Sequence, residues 1–136
     1  MAGTVTQTLK SISRDDSKMV LTFAWTADAS DGSVPSTTTT ATITAEISGY
    51  DIVEVRTNPG TTAPTASYDI VLNDTDGIDL MGGSLANRSE TASERAIPLM
   101  TTGVYGTTTI DSTVAMVLTG NSVHSATGTV KLFLER

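Results

Sequence analysis

Cysteine is absent from the chain, which excludes disulfides, thiolate metal ligands and cysteine nucleophiles together. Histidine occurs once, too few imidazoles for an ordinary zinc centre. Aromatic residues make up only 4%, so a core has to be built from Val, Ile, Leu and Ala around one Trp and a few other rings. Lys, Glu and Gln are scarce, and with them the usual exposed helix formers. No apolar run approaches membrane-spanning length. Met1-Ala2-Gly3-Thr4 leads straight into Thr/Val alternation without a basic start or an apolar stretch, so no secretory leader is expected, and synthesis in a cytoplasm is. Cations are also short: 8 Lys and Arg against 15 Asp and Glu give a net charge of −7. That balance opposes nucleic-acid binding, which needs clustered cations to displace counterions from phosphates. It opposes docking on anionic lipid for the same reason.

What is abundant is threonine, roughly a fifth of the 136 residues, which suits pleated and half-buried strands. The length fits one domain, residues 1–136. Period-two alternation recurs along it. Val5, Gln7 and Leu9 alternate with threonines as a first, edge-type strand. Leu21, Phe23 and Trp25 share one face of a second. Ile43, Ala45 and Ile47 share a face of a third, which predicts a hairpin with Ile52 to Arg56 across Ser48-Gly49. Tyr68, Ile70 and Leu72 point inward on the next strand, which Asp74-Thr75-Asp76-Gly77 turns back into Ile78 to Met81. Ser84 to Arg95 reads as a polar surface excursion with one helical turn around Ser93 to Ala96. Ala96 to Leu99 then re-enters the sheet, with Pro98 at an edge or bulge, and Gly103 to Gly106 is a loop. Ile110 to Leu118 buries Val114, Met116 and Leu118, and Thr129 to Glu135 buries Val130, Leu132 and Leu134. About eight strands with short polar breaks predict an all-β fold, an antiparallel β-sandwich, of immunoglobulin-like or jelly-roll strand order.

Candidate chemistry is sparse. His124 lies in a polar connection, Asn121 to Gly128, with no nucleophile motif near it; a surface loop explains it. Glu46 and Glu54 are a conceivable glycosidase pair, but both fall on outward strand positions, where solvated carboxylates are ordinary. Asp74, Asp76 and Asp79 resemble the opening of a calcium loop, yet the twelfth position is Leu85 rather than a bidentate glutamate. No glycine-rich phosphate loop is present. The expectation is a chain without catalytic residues, cofactor or metal.

The central block Asn58-Pro59-Gly60-Thr61-Thr62-Ala63-Pro64-Thr65, then Tyr68 to Asp79, Leu85-Ala86-Asn87-Arg88-Ser89 and Ile97-Pro98-Leu99 resembles a family of short virion structural proteins of tailed bacteriophages. Phe23-Ala24-Trp25-Thr26, Asn121-Ser122 and Gly128 to Phe133 fit the same pattern. These are strand-and-turn words rather than a functional motif, and the Ser36 to Thr40 run reads as an insertion. The resemblance implies a non-enzymatic capsid decoration or cement protein, a homotrimer on the outer surface of the virion head whose partner is the major capsid protein. The alternative is a tail- or fibre-associated module that recognises a host glycan or protein through exposed rings, for which Tyr50 and Tyr105 are the loop-placed candidates. For assembly contacts the polar excursion offers Asn87, Arg88, Glu90, Glu94 and Arg95.

Overall fold

The computed structural model describes residues 2–136. In chain order the elements are β1 (Thr4–Ser11), β2 (Lys18–Thr26), β3 (Thr37–Thr38), α1 (Ala41–Ile47), β4 (Asp51–Pro59), β5 (Asp69–Asn73), β6 (Glu94–Ala96), β7 (Leu99–Thr101), β8 (Val104–Tyr105), β9 (Thr108–Thr109), β10 (Ala115–Thr119) and β11 (Thr127–Glu135). The fold is all-β with antiparallel pairing throughout. A large sheet runs β1-β2-β11-β4-β6 with β9 also on β4, a small sheet runs β3-β10-β5, and β7 and β8 form a separate two-stranded ribbon.

Alternation sets the large sheet. Its register aligns Leu9, Leu21, Leu132 and Val55 in one inward row and Gln7, Phe23, Val130 and Thr57 in the next. A one-residue slip would turn every one of these to solvent. The bulge opposite Phe133 and Leu134 takes up Val53 as an extra residue on β4. The small sheet turns Ile70 and Leu72 of β5 and Met116 and Leu118 of β10 into the same apolar cluster. All ten residues expected in the core are buried: Leu21, Phe23, Trp25, Ile70, Leu72, Val114, Met116, Leu118, Val130 and Leu132. Each fully buried side chain of this size contributes about 1.5–3 kcal/mol relative to an exposed one. Gln7 fastens the β1 edge to the small sheet, donating to the Thr38 carbonyl at 2.8 Å and accepting from the Thr40 amide at 3.1 Å.

Several expectations need correction. Gly103 to Gly106 is not only a loop, since Val104–Tyr105 is strand β8, and Leu99 pairs with that strand instead of re-entering either sheet. Ala41–Ile47 is a helix, not a strand. Thr40 caps it by accepting from the Ile43 amide at 3.2 Å, and Gly49, at φ +89°, lies just beyond its C-cap Ser48. Ile43 and Ile47 are four apart and share a face under either period. Ala45, two from each, decides the matter, and it is exposed. Ile78 to Met81 forms no strand: only Asp79 bridges Asn73, and Ile78 is exposed. Ser93 to Ala96 is no helical turn, because Glu94–Ala96 is strand β6 on β4. Tyr50 is buried, its hydroxyl donating to the Asp16 carbonyl, so it offers no ring to a ligand. The strand count rises above the expected eight because β3, β8 and β9 are two-residue pairings, too short to leave a periodic signal.

Candidate assembly surface

From Leu80 to Thr109 the chain leaves regular alternation, and its local structure is held by side chain–backbone bonds. Asp79 accepts from the amides of Met81 at 3.0 Å and Gly83 at 2.8 Å, and Asp74 from those of Asp76 and Ile78, both at 2.9 Å. These carboxylates fix turns through backbone donors. No group of three or more His, Asp or Glu positioned for one metal ion occurs among the described residues.

The five polar residues singled out in the sequence divide in two. Arg88 is turned into the structure, its side chain only 11% exposed. Its guanidinium donates to the carbonyls of Ser84 and Ala86, both at 3.2 Å, and its amide to the Tyr68 carbonyl at 2.7 Å. Glu94 faces it at 3.9 Å and accepts from the Ser89 amide at 2.7 Å. These two are internal ties. Asn87 is exposed in a left-handed conformation at φ +55°, which asparagine tolerates, and its amide donates to Asp69 at 2.8 Å. Arg95 reaches out, 75% exposed and 3.6 Å from Glu54. Glu90 is half-buried. Asn87 and Arg95 are therefore the members of the set free to meet another molecule.

Beside Arg95 stands the β7–β8 ribbon. Leu99 pairs with Tyr105 and Thr101 with Val104 across a turn that contains Gly103 at φ +76°. The ribbon joins neither sheet. The Leu99 amide holds it down, donating to the Met81 carbonyl at 3.0 Å, and Gly82 lies against the Leu99 carbonyl with no room for a Cβ. Ile97, Met100, Val104 and Tyr105 are all exposed, Tyr105 by 59%, and they are four of the six exposed large hydrophobics among the described residues. An isolated two-stranded hairpin is marginal in water, and a clustered apolar surface marks an interaction site more often than scattered apolar residues do. A shallow cleft of about 360 Å³ runs along the ribbon's foot, lined by Ser84, Arg88, Arg95, Ala96, Ile97 and Tyr105. The sequence signal for the ribbon was present as an apolar run, Ile97-Pro98-Leu99-Met100, without alternation. What it lacked was any sign that these residues lie outside both sheets.

His124 is exposed in the connection before β11. Glu54 lies on the outward face of β4, and Glu46 is exposed on α1 rather than on a strand. Comparison with protein families, with characterised proteins and with solved structures finds no match to this chain.

Proposed function

We propose that this chain is a non-enzymatic structural protein of a tailed-phage particle, a decoration or cement protein of β-sandwich build that adheres to the head shell as a homo-oligomer, a trimer. The observation that supports it best is the β7–β8 ribbon, whose exposed Met100, Val104 and Tyr105 stand beside Ile97 on a hairpin that packs into neither sheet. Such a ribbon gains stability when its exposed apolar side chains are covered, which suits a module whose partner is a larger surface. Arg95, which lines the cleft with Ile97 and Tyr105, supplies a polar group at the edge of that apolar surface, as the rim of a protein interface does.

The test is the number of copies per particle, by quantitative mass spectrometry of purified virions, together with binding of the isolated protein to empty heads. Hundreds of copies and saturable binding are expected. A handful of copies, with no binding to heads, moves the reading to the tail. Tyr105, exposed at the edge of the cleft that holds Arg95 and Ile97, is the one feature that favours the tail-associated reading, because an exposed ring beside polar groups is what a sugar ring stacks on.

A further inference from the structure

We infer that the outer face of the large sheet, with its excess of cations, is a docking face, and that its occupant is the acidic end of the small sheet of a second copy of this chain. The register puts Lys131 of β11 opposite Arg56 of β4, and Arg56 opposite Arg95 of β6. Three cations thus stand side by side on three neighbouring strands, about 4.8 Å apart at the backbone. Like charges placed directly opposite one another destabilise a sheet. Lys10 of β1 lies on the same outward side, opposite Val20. Lys18 of β2 is on that side too, so five of the chain's eight cations sit on one face of a protein with net charge −7.

The simplest alternative is a solvated face whose lysines discourage edge-to-edge pairing. That accounts for Lys10 on the edge strand β1. It does not account for Lys131 and Arg56, because β11 and β4 are interior strands. The other outward positions are mixed: threonines such as Thr6, Thr22 and Thr129, the apolar Val20, Ala24 and Phe133, and the carboxylates Asp51, Glu54 and Glu135. The cations are also partly ordered already. Arg56 lies over the Phe133 ring at 4.2 Å, and Glu54 reaches both Arg56 and Arg95. Glu135 pairs with Lys18 at 3.4 Å and stands opposite Asp51, so three carboxylates meet five cations on this face and leave a positive excess of two.

The opposite sign lies on the far side. Residues 69–83 and 110–119, which make β5, β10 and their turns, contain Asp69, Asp74, Asp76, Asp79 and Asp111 and neither Lys nor Arg. The Thr75 amide donates to Ser112 Oγ at 3.3 Å, and the Thr75 and Thr113 hydroxyls bond at 3.1 Å. These bonds bring Asp76 and Asp111, both exposed, to one end of the small sheet. The inward sides of both sheets share one core, so their solvent sides point away from each other. Asp69 is the one acid among the outward residues of β5 and β10, so the acidic surface is the turn end that carries Asp76 and Asp111. That end and the basic face lie on different parts of the molecule and can meet only head to tail, the kind of contact that closes into rings or stacks into open arrays. Eight residues by four strands cover roughly 500 Å² per copy, at the small end for specific interfaces. Association should therefore be weak and weakened further by salt.

Sedimentation of the full chain over a range of concentrations, at about 0.05 M and 0.5 M salt, tests this. Wild type should self-associate at low salt and less at high salt. Lys131→Glu, alone or with Arg56→Glu, should weaken association at least tenfold, and so should Asp76→Lys with Asp111→Lys. Mixing the two charge-reversed proteins should restore it, because each then presents the complement of the other. Wild type that stays monomeric at millimolar concentration, association that strengthens with salt, or a mixture that fails to associate would each overturn the proposal. Circular dichroism of every variant excludes loss of fold as the cause. The adhesive ribbon is a separate matter: a Met100→Ser, Tyr105→Ser protein should associate with itself as wild type does.

Discussion

The large sheet and the stretch from Leu80 to Thr109 put similar residues to different uses. In the sheet, long strands of eight or nine residues bury one side at every second position, and tertiary packing decides each side chain's place. In the later stretch, strands of two or three residues alternate with turns held by Asp79, Arg88 and Glu94, and four large apolar side chains remain in water. The first region accounts for stability. The second is shaped by local hydrogen bonds, at a cost in exposed apolar surface that packing within one copy does not recover.

The comparison breaks first if the sheets do not share a core. Phe23→Ala should cost about 3–5 kcal/mol in urea unfolding, the usual range for a large aromatic cavity, since Phe23 is fully buried. A loss below about 1 kcal/mol would mean that the site collapses freely. Gly128→Ala should come next, at about 1–3 kcal/mol. A Cβ at Gly128 would lie 2.6 Å from Trp25 Cζ2, so the indole must move, and a shift in tryptophan fluorescence should accompany the loss. In the irregular stretch the expected pattern reverses. Met100→Ser with Tyr105→Ser should change stability by no more than about 0.5 kcal/mol while abolishing adhesion to heads. A large loss of stability would make the ribbon part of the core's support.

The smallest effect lies where the regions meet, at Tyr68. Its ring packs against Trp25 at 5.9 Å between centroids, its backbone bridges Arg88, and its hydroxyl has no hydrogen-bond partner among the described residues. Burial pushes the phenol up to about 12. Its neutral form is therefore favoured by folding, a contribution fully present below about pH 10 and lost as pH rises toward 12. Tyr68→Phe should leave stability at pH 7 unchanged or slightly higher, because it removes an unpaired buried hydroxyl. The variant should also lose less stability than wild type between pH 10 and 12, as thermal melts across that range would show.

Much of this was legible in the sequence wherever alternation was long. Leu21-Thr22-Phe23-Ala24-Trp25 and Val130-Lys131-Leu132-Phe133-Leu134 declared their inward residues because a two-residue period over five positions has few other readings. Ile43 to Ile47 did not, because two isoleucines four apart fit a strand and a helix equally, and the β-branched residues around them favour the wrong one. At Arg88 and Glu94 the sequence pointed to charge but not to its direction: both turn inward onto backbone groups that only the folded turn brings near. The cationic row was half visible. Arg56 and Lys131 each occupy a polar position of an alternating strand, but their adjacency depends on β11 pairing with β4, which are separated by about half of the chain.

That pairing also governs how the protein comes to be folded. β11, the last strand in chain order, lies in the interior of the large sheet between β2 and β4. Neither neighbour can complete its hydrogen bonds until β11 has been made: β2 can pair with β1, and β4 with β6 and β9, but each keeps one open edge beside an apolar face. Non-local pairing of this kind is slow to form and exposed to misassociation while it waits. Thr22 and Thr26 on the outward face of β2, and Glu54, Arg56 and Asn58 on that of β4, keep those waiting strands soluble on one side. Yield on expression should accordingly respond more sharply to changes in β11 than to changes of equal size in the ribbon.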